Sequence, residues 1–128
     1  MKNFDNWNSI KKDVEFNRQR KNYHAGDIWW IRMGINIGFE QDGKHENFER
    51  PALIIKGFNK EVCLIVPLTT RYKKNKFSIF VGEFDDEKNY AILSQIKLID
   101  TKRLINKIGS ISKPKLTIIK NAIWNIIR

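Results

Sequence analysis

An arginine and a proline stand directly in front of an unbroken apolar run in the segment FERPALII, residues 48–55. Pro51 has no amide proton, and its ring biases Arg50 toward an extended backbone. An extended arginine at the start of a strand can direct its planar set of donors at one phosphate group. A surface salt bridge with Glu46 or Glu49 is the structural alternative, and the segment alone is compatible with both.

Hydroxyl side chains end the next long apolar run, in which Thr69 and Thr70 are followed by Arg71. Two hydroxyls beside a cation are suited to holding a phosphate. Threonine is also common at strand ends for purely structural reasons. Taken alone, the two threonines are therefore weak evidence for a site.

Other catalytic arrangements find little support. The two histidines, His24 and His45, and the single cysteine, Cys63, do not have zinc-binding spacing. The sequence contains neither a glycine-rich phosphate loop nor a nucleophile elbow. The pair Asp85–Asp86 lies in a polar turn, where solvation explains it better than metal binding. We therefore expect no metal and no other cofactor, and we interpret Cys63 as a small buried hydrophobe.

The charge balance indicates a polyanionic partner. Lysine and arginine number 24 against 14 acidic residues, which gives a net charge of +10. Basic surfaces attract nucleic acid because neutralised phosphates release counterions. A lysine-rich surface that reflects only a biased composition is the alternative.

Length and hydropathy indicate one domain in the cytoplasm. A chain of 128 residues can bury a core without disulfides or metal. No apolar window is long enough to span a bilayer, and the first residues lack the apolar core of a signal peptide. We expect no membrane association.

The patterning predicts a mainly β fold, of the β plus α type, with helices at its ends. Residues 1–25 are expected to form a helix and a basic linker, and residues 26–128 the main domain. Strands and helices do not alternate, so a small, strongly curved sheet or barrel is favoured over a parallel α/β sheet. The predicted strands are 27–33, 51–57, 61–69, 76–82 and 90–99, with a tight hairpin between the second and third, followed by a helical turn at 100–107 and a helix at 112–128. Ser112 and Pro114 suit the start of that helix, and its apolar stripe, spaced by three and four residues, is Leu116, Ile119, Ile123 and Ile126.

A connection of sixteen residues, 34–49, separates the first two strands. Loops of that length inside a compact domain are usually functional or mobile. Phe39 and Phe48 can stack an unpaired base, as in single-stranded RNA readers, or can pack to hold the loop. His45 is a candidate proton-transfer group because its ordinary pKa is near neutrality, although a lone loop histidine is more often simply solvated.

Five segments occur in the order found in the MazF/PemK (Kid) toxins of type II toxin–antitoxin systems. The chain resembles this family over about residues 26–105 and the final helix. The segments are GDIWWI at Gly26, GFEQDG at Gly38, RPALII at Arg50, VPLTT at Val66 and SQIKLIDTKRL at Ser94.

The resemblance implies an SH3-like small β-barrel of the MazF/CcdB/Kid type, here with an N-terminal helical extension and a C-terminal helix, that forms a homodimer. It implies a toxin that acts as a ribosome-independent, metal-independent, sequence-specific endoribonuclease, or mRNA interferase. Such an enzyme cleaves single-stranded RNA to 2′,3′-cyclic phosphate and 5′-hydroxyl ends. A cognate antitoxin protein would cover the RNA-binding groove.

By position, Arg50 and Thr69 match the family's principal catalytic pair. The loop from Gln41 to Arg50 is longer than in compact members, and Lys97 stands where arginine is frequent. The residues expected to bind substrate are Gly38, Phe39, Glu40, Gln41, Lys44, His45, Phe48, Thr70, Arg71, Ser94, Gln95 and Lys97.

Two other functions fit parts of the pattern. One is a non-enzymatic toxin, since the gyrase-poisoning CcdB toxins share the implied fold. The other is an RNA-binding module without turnover, which the net charge alone would allow. The presence of both Arg50 and Thr69 favours the ribonuclease, because a gyrase binder needs no such pair.

Overall fold

A curled, seven-stranded antiparallel sheet and one α-helix make up the part of the chain that the computed structural model describes, residues 21–33, 49–72, 74 and 77–128. The predicted mainly β class is confirmed, and the predicted N-terminal helix lies outside the described residues. The elements are β1 Asp27–Arg32, β2 Glu49–Gly57, β3 Val62–Thr69, β4 Ser78–Phe84, β5 Glu87–Ile92, β6 Lys97–Asp100, β7 Leu104–Ser110 and α1 Lys113–Ile127, with short 3₁₀ turns at Leu93–Gln95 and Thr101–Arg103.

Strand β3 is the centre of the sheet. The order is β4-β5-β3-β2-β1-β7, and β6 pairs with β3 outside this path. One edge of β3 pairs with β2, whereas the other edge pairs first with β6, as far as Ile65, and then with β5, from Leu68 onward. Pro67 lies at this change of partner, where its missing amide proton does least damage to the ladder.

The two faces of the sheet carry different apolar clusters, because successive side chains of a strand point to opposite faces. On one face, Leu53 and Val66 pack with the buried side of α1. On the other face, Ile54 and Ile65 pack with Trp29 and their neighbours. Of the two adjacent tryptophans, Trp29 is the one buried in this second cluster, and Trp30 is half-buried.

Helix α1 begins and packs as the sequence predicts. The Ser112 hydroxyl accepts a hydrogen bond from the amide of Lys115 at 3.2 Å, and Pro114 occupies the first turn. Leu116, Ile119 and Ile123 form its buried stripe. The helix has 15 residues, and the part of the chain that the structure describes contains none that could cross a bilayer.

Two predicted elements were wrong in their detail. Residues 90–99 form two strands separated by a 3₁₀ turn, because β5 and β6 pair with different halves of β3. The helical turn predicted for 100–107 is limited to Thr101–Arg103, capped by Asp100, and Leu104–Ser110 is strand β7. An apolar spacing of four residues fits both a helix and one face of a strand, and irregularities in the β1–β7 pairing hide the strand period.

Tight hairpins fix the sheet register at two places. In the predicted β2–β3 hairpin, the Asn59 side chain accepts hydrogen bonds from the amides of Glu61 and Val62 at 2.7 and 2.9 Å. Asp85 and Asp86 both have positive φ angles, 55° and 63°, which matches the two-residue turn preferred between twisted strands. The interpretation of this acidic pair as a turn is confirmed.

We predict that Ile119→Ala lowers the free energy of unfolding by about 2–5 kcal/mol, because it removes a fully buried side chain between α1 and the sheet. Ile118→Ala is the matched control, since Ile118 is 56% exposed, and its effect should stay within about 0.5 kcal/mol. Urea unfolding at one fixed protein concentration measures both. Equal losses would contradict this packing of the helix.

We also predict that the Cys63 thiol is inert in the folded protein. It is fully buried, and burial, with a smaller contribution from Asp100, raises its pKa from 9.0 to about 11. Because an unfolded thiol ionises first, ionisation favours the unfolded chain as the pH rises from 9.0 to about 11. Iodoacetamide labelling should be at least about 100-fold slower in buffer than in urea, since only the thiolate reacts. Similar rates in both solutions would show an accessible thiol.

Candidate active site

Arg50 lies in β2, one residue before Pro51, and pairs with Ile31 of β1. It is half-buried, and its Nε atom is shielded from solvent. The carboxylate of Glu49 lies 3.9 Å from Arg32 across the same strand pair. The Arg50 side chain is thus partly enclosed at the start of β2.

The register of β2 and β3 brings Arg50 and Thr69 together. Ala52 pairs with Pro67 and Leu53 with Val66. Continuing this register by two residues places Arg50 opposite Thr69, with both side chains on the same face of the sheet. That face is opposite to the one covered by α1.

The Thr69 hydroxyl has a local partner and a free capacity to donate. It accepts a hydrogen bond from the amide of Arg71 at 3.1 Å, which shapes the turn after β3. A hydroxyl that accepts one hydrogen bond still carries a hydrogen that it can donate. Thr70 and Arg71 follow on the exposed side of this turn.

The row that starts at Arg50 and Thr69 continues across the sheet with aromatic side chains. Thr69 pairs with Tyr90 of β5, and Tyr90 pairs with Phe80 of β4. The Tyr90 ring lies 5.6 Å from the Phe80 ring and 5.1 Å from the Tyr72 ring, between centroids. Three strand spacings of about 4.8 Å separate Arg50 from Phe80, which is roughly 14 Å.

These aromatic residues were missed by the sequence analysis. The usable signal is that Phe80 and Tyr90 are the strand neighbours of Val81 and Ala91, which are buried in the core under α1. Because side chains alternate along a strand, the two rings point to the opposite face. Recognising it requires the pairing of β3 with β5, which follows from the split of β3 between two partners.

Three other predicted substrate-binding residues lie farther along β3. Lys97 pairs with Ile65 and is half-buried. Ile65 and Thr69 are on the same face but four residues apart, which is roughly 13 Å. Ser94 and Gln95 form the 3₁₀ turn that contacts β3 between β5 and β6. The register thus places Arg50 opposite Thr69, with Thr70 and Arg71 next in sequence, and it places Lys97 beside β3 four residues before Thr69.

The remaining predicted residues belong to the connection between β1 and β2. Their placement lies outside the described residues: Gly38, Phe39, Glu40, Gln41, Lys44, His45 and Phe48. The other histidine, His24, precedes β1, and its amide donates to Asp27 at 2.8 Å. Since Arg50 pairs with Ile31 near the far end of β1, His24 lies at the opposite end of that strand.

The arrangement combines a fixed cation, a hydroxyl and an aromatic surface. A guanidinium is always charged and can grip two phosphate oxygens. The adjacent hydroxyl can donate to the same phosphate or to a ribose oxygen. Rings beside such a site present faces on which a planar group can stack.

Comparisons with known proteins identify the family and the fold. A family model for the "PemK-like, MazF-like toxin of type II toxin-antitoxin system" matches residues 24–127. No curated protein sequence matches the chain.

Several solved structures share the fold. MazF from Deinococcus radiodurans superposes with a TM-score of 0.66 at 17% identity, covering 84% of this chain and 97% of that one. An endoribonuclease in complex with its cognate antitoxin, from a mycobacterial species, gives 0.62 at 16% identity, covering 81% and 93%. The Mycobacterium tuberculosis toxin MazF-mt6 gives 0.60 at 15% identity, covering 77% and 93%.

The likeness to these structures establishes the curled MazF-type sheet with its C-terminal helix, and the family model covers most of the sequence. The chain therefore belongs to the PemK-like, MazF-like toxins of type II toxin–antitoxin systems.

Proposed function

We propose that this toxin is a sequence-specific, metal-independent and ribosome-independent endoribonuclease that cleaves single-stranded RNA. The observation that carries the proposal is the placement of Arg50 opposite Thr69 on one face of the sheet, by the β2–β3 register. The family and the endoribonucleases among the structural neighbours support the same reaction class.

In the proposed reaction, the 2′-hydroxyl oxygen of the RNA attacks the adjacent phosphorus. The new O2′–P bond closes a 2′,3′-cyclic phosphate, and the P–O5′ bond breaks to leave a 5′-hydroxyl. Arg50 stabilises the extra negative charge on the phosphorane oxygens, because its donors are positioned before the charge develops. Thr69 donates a hydrogen bond to the phosphate or to the attacking ribose.

The proton of the 2′-hydroxyl goes to a third group, and the departing 5′-oxygen takes a proton from water. A guanidinium has no lone pair to accept it, and a threonine hydroxyl is a very weak base. His45 is our candidate for this role, since its ordinary pKa is near neutrality. His24 is disfavoured because it lies at the other end of β1 from Arg50.

The proposed ribonuclease function and the family imply the binding partners. The substrate is messenger RNA, and the neutraliser is a cognate antitoxin, as in the complex found among the structural neighbours. We further propose a cytoplasmic homodimer. Trp124 and Ile127 of α1 are 59% and 64% exposed in the single chain, and they supply apolar surface for a protein partner.

We predict that purified protein cuts a long single-stranded RNA at discrete sites in EDTA, leaving 5′-hydroxyl ends. Arg50→Ala should reduce the cleavage rate by about 100-fold or more, because it removes the main charge that stabilises the transition state. Arg50→Lys should retain part of the rate, since it keeps the charge but loses the paired donors. Mapping of the new RNA ends measures all three proteins.

Arg128→Ala is the matched control, because this exposed arginine lies at the end of α1. It should cut like the wild type. Intact RNA from folded wild-type protein, or full cleavage by Arg50→Ala, would contradict the proposal. Intact RNA with inhibition of gyrase would identify the non-enzymatic alternative instead.

A further inference from the structure

Three aromatic rings lie on the sheet face beside Thr69 without contributing to the main core. Tyr72 is 59% exposed and Phe80 is 42% exposed. Tyr90 between them is half-buried. The neighbouring strand residues Val81 and Ala91 point to the α1 side and fill the core there. The three rings therefore lie outside the buried core that α1 covers.

The rings form one continuous surface. Tyr90 contacts Tyr72 with an interplanar angle of 49° and Phe80 with an angle of 63°. Neither pair is stacked face to face, so the outer rings, Tyr72 and Phe80, keep ring surface that Tyr90 does not cover. We call Tyr72, Phe80 and Tyr90 the aromatic platform.

Positive charge borders the aromatic platform on two sides. The Nζ atom of Lys115, in the first turn of α1, lies 5.8 Å from the Phe80 ring centroid. Arg71 precedes Tyr72 and is exposed. The acidic turn at Asp85 and Asp86 lies farther along the β4–β5 hairpin, at its tip. Lys115 and Arg71 therefore place positive charge beside the rings, whereas the next cross-strand pair on the same face, Glu83 and Lys88, combines opposite charges.

The aromatic platform also continues the row that contains the proposed catalytic pair. Tyr90 pairs directly with Thr69, which the β2–β3 register places opposite Arg50. A phosphate held by Arg50 and Thr69 would thus have an aromatic surface about one strand spacing, roughly 5 Å, away.

We propose that the aromatic platform stacks one unpaired base of the RNA next to the phosphate that is cut. The inference rests on the proposed ribonuclease function and adds a nucleotide-binding subsite to it. Proteins that bind single-stranded nucleic acid combine a basic groove with aromatic side chains on which bases stack. Here the rings provide the aromatic surface, and Lys115 and Arg71 provide the positive charge. Because Tyr90 pairs with Thr69, this surface lies next to the phosphate that Arg50 and Thr69 would hold.

Two variants test the platform without emptying the core. Phe80→Leu and Tyr72→Leu keep an apolar side chain on an exposed position but remove the ring. Phe58→Leu is the matched control. Phe58 is 51% exposed and lies 5.8 Å from the Nζ atom of Lys56. It follows the opposite end of β2 from Arg50, and roughly 26 Å of extended strand separates the two positions.

The measurement is the affinity for a short single-stranded RNA that spans the mapped cut, determined by fluorescence anisotropy. A 2′-deoxy nucleotide at the cut removes the attacking hydroxyl, so the RNA binds without being cleaved. Each base in turn is replaced by an abasic site. For the wild type, we expect one position at which loss of the base weakens binding about tenfold. Phe80→Leu and Tyr72→Leu should weaken binding by a similar factor and remove that abasic penalty. Phe58→Leu should bind like the wild type, and circular dichroism confirms folding.

The platform would be overturned by unchanged affinity in both variants, or by an abasic penalty that persists in them. In that case, cleavage of RNA by the wild type would still support the ribonuclease. RNA binding that depends on the rings without any cleavage would support the platform and contradict the ribonuclease. Loss of antitoxin binding with unchanged RNA binding would assign the surface to a protein partner and overturn the proposal.

Discussion

The antiparallel register between β2 and β3 is the constraint on which the rest of the site depends. Leu53 pairs with Val66 on the α1 side, and Ile54 pairs with Ile65 on the opposite side. A slip of one residue would turn both apolar sets to the wrong faces. It would also turn Arg50 to the face that α1 covers, away from the face of Thr69. Core packing therefore enforces the position of the arginine.

The change of partner along β3 supplies the second requirement, which is room for a substrate. Because β6 leaves β3 at Ile65 and β5 joins it at Leu68, the strand end at Thr69 lies next to a second hairpin. That hairpin extends the face of the sheet that carries Thr69, and it contributes Tyr90. The face under α1 can therefore form the main core, while the opposite face, near Thr69 and Tyr90, is available to bind a substrate.

The sequence predicted those features that depend on local chemistry. The Ser112 cap, the stripe of α1 and the turn at Asn59 are local, and each was found as expected or in the predicted hairpin. The split of residues 90–99 between two strands was not predictable, since it arises from pairing with distant halves of β3. For the same reason, Arg50 and Thr69 were found through family resemblance, whereas Tyr90 was found only through the sheet pairing.

The central claim is that Arg50 and Thr69 act on the same phosphate. A double-mutant cycle on kcat/KM, with Arg50→Lys, Thr69→Ser and the combined variant, tests it most directly. We expect the combined loss to fall short of the product of the single losses, with a coupling of about 0.5–3 kcal/mol, because residues that share a partner are not independent. Lys56→Ala, at the other end of β2, should combine with Arg50→Lys multiplicatively. Multiplicative losses for Arg50→Lys and Thr69→Ser would contradict the account.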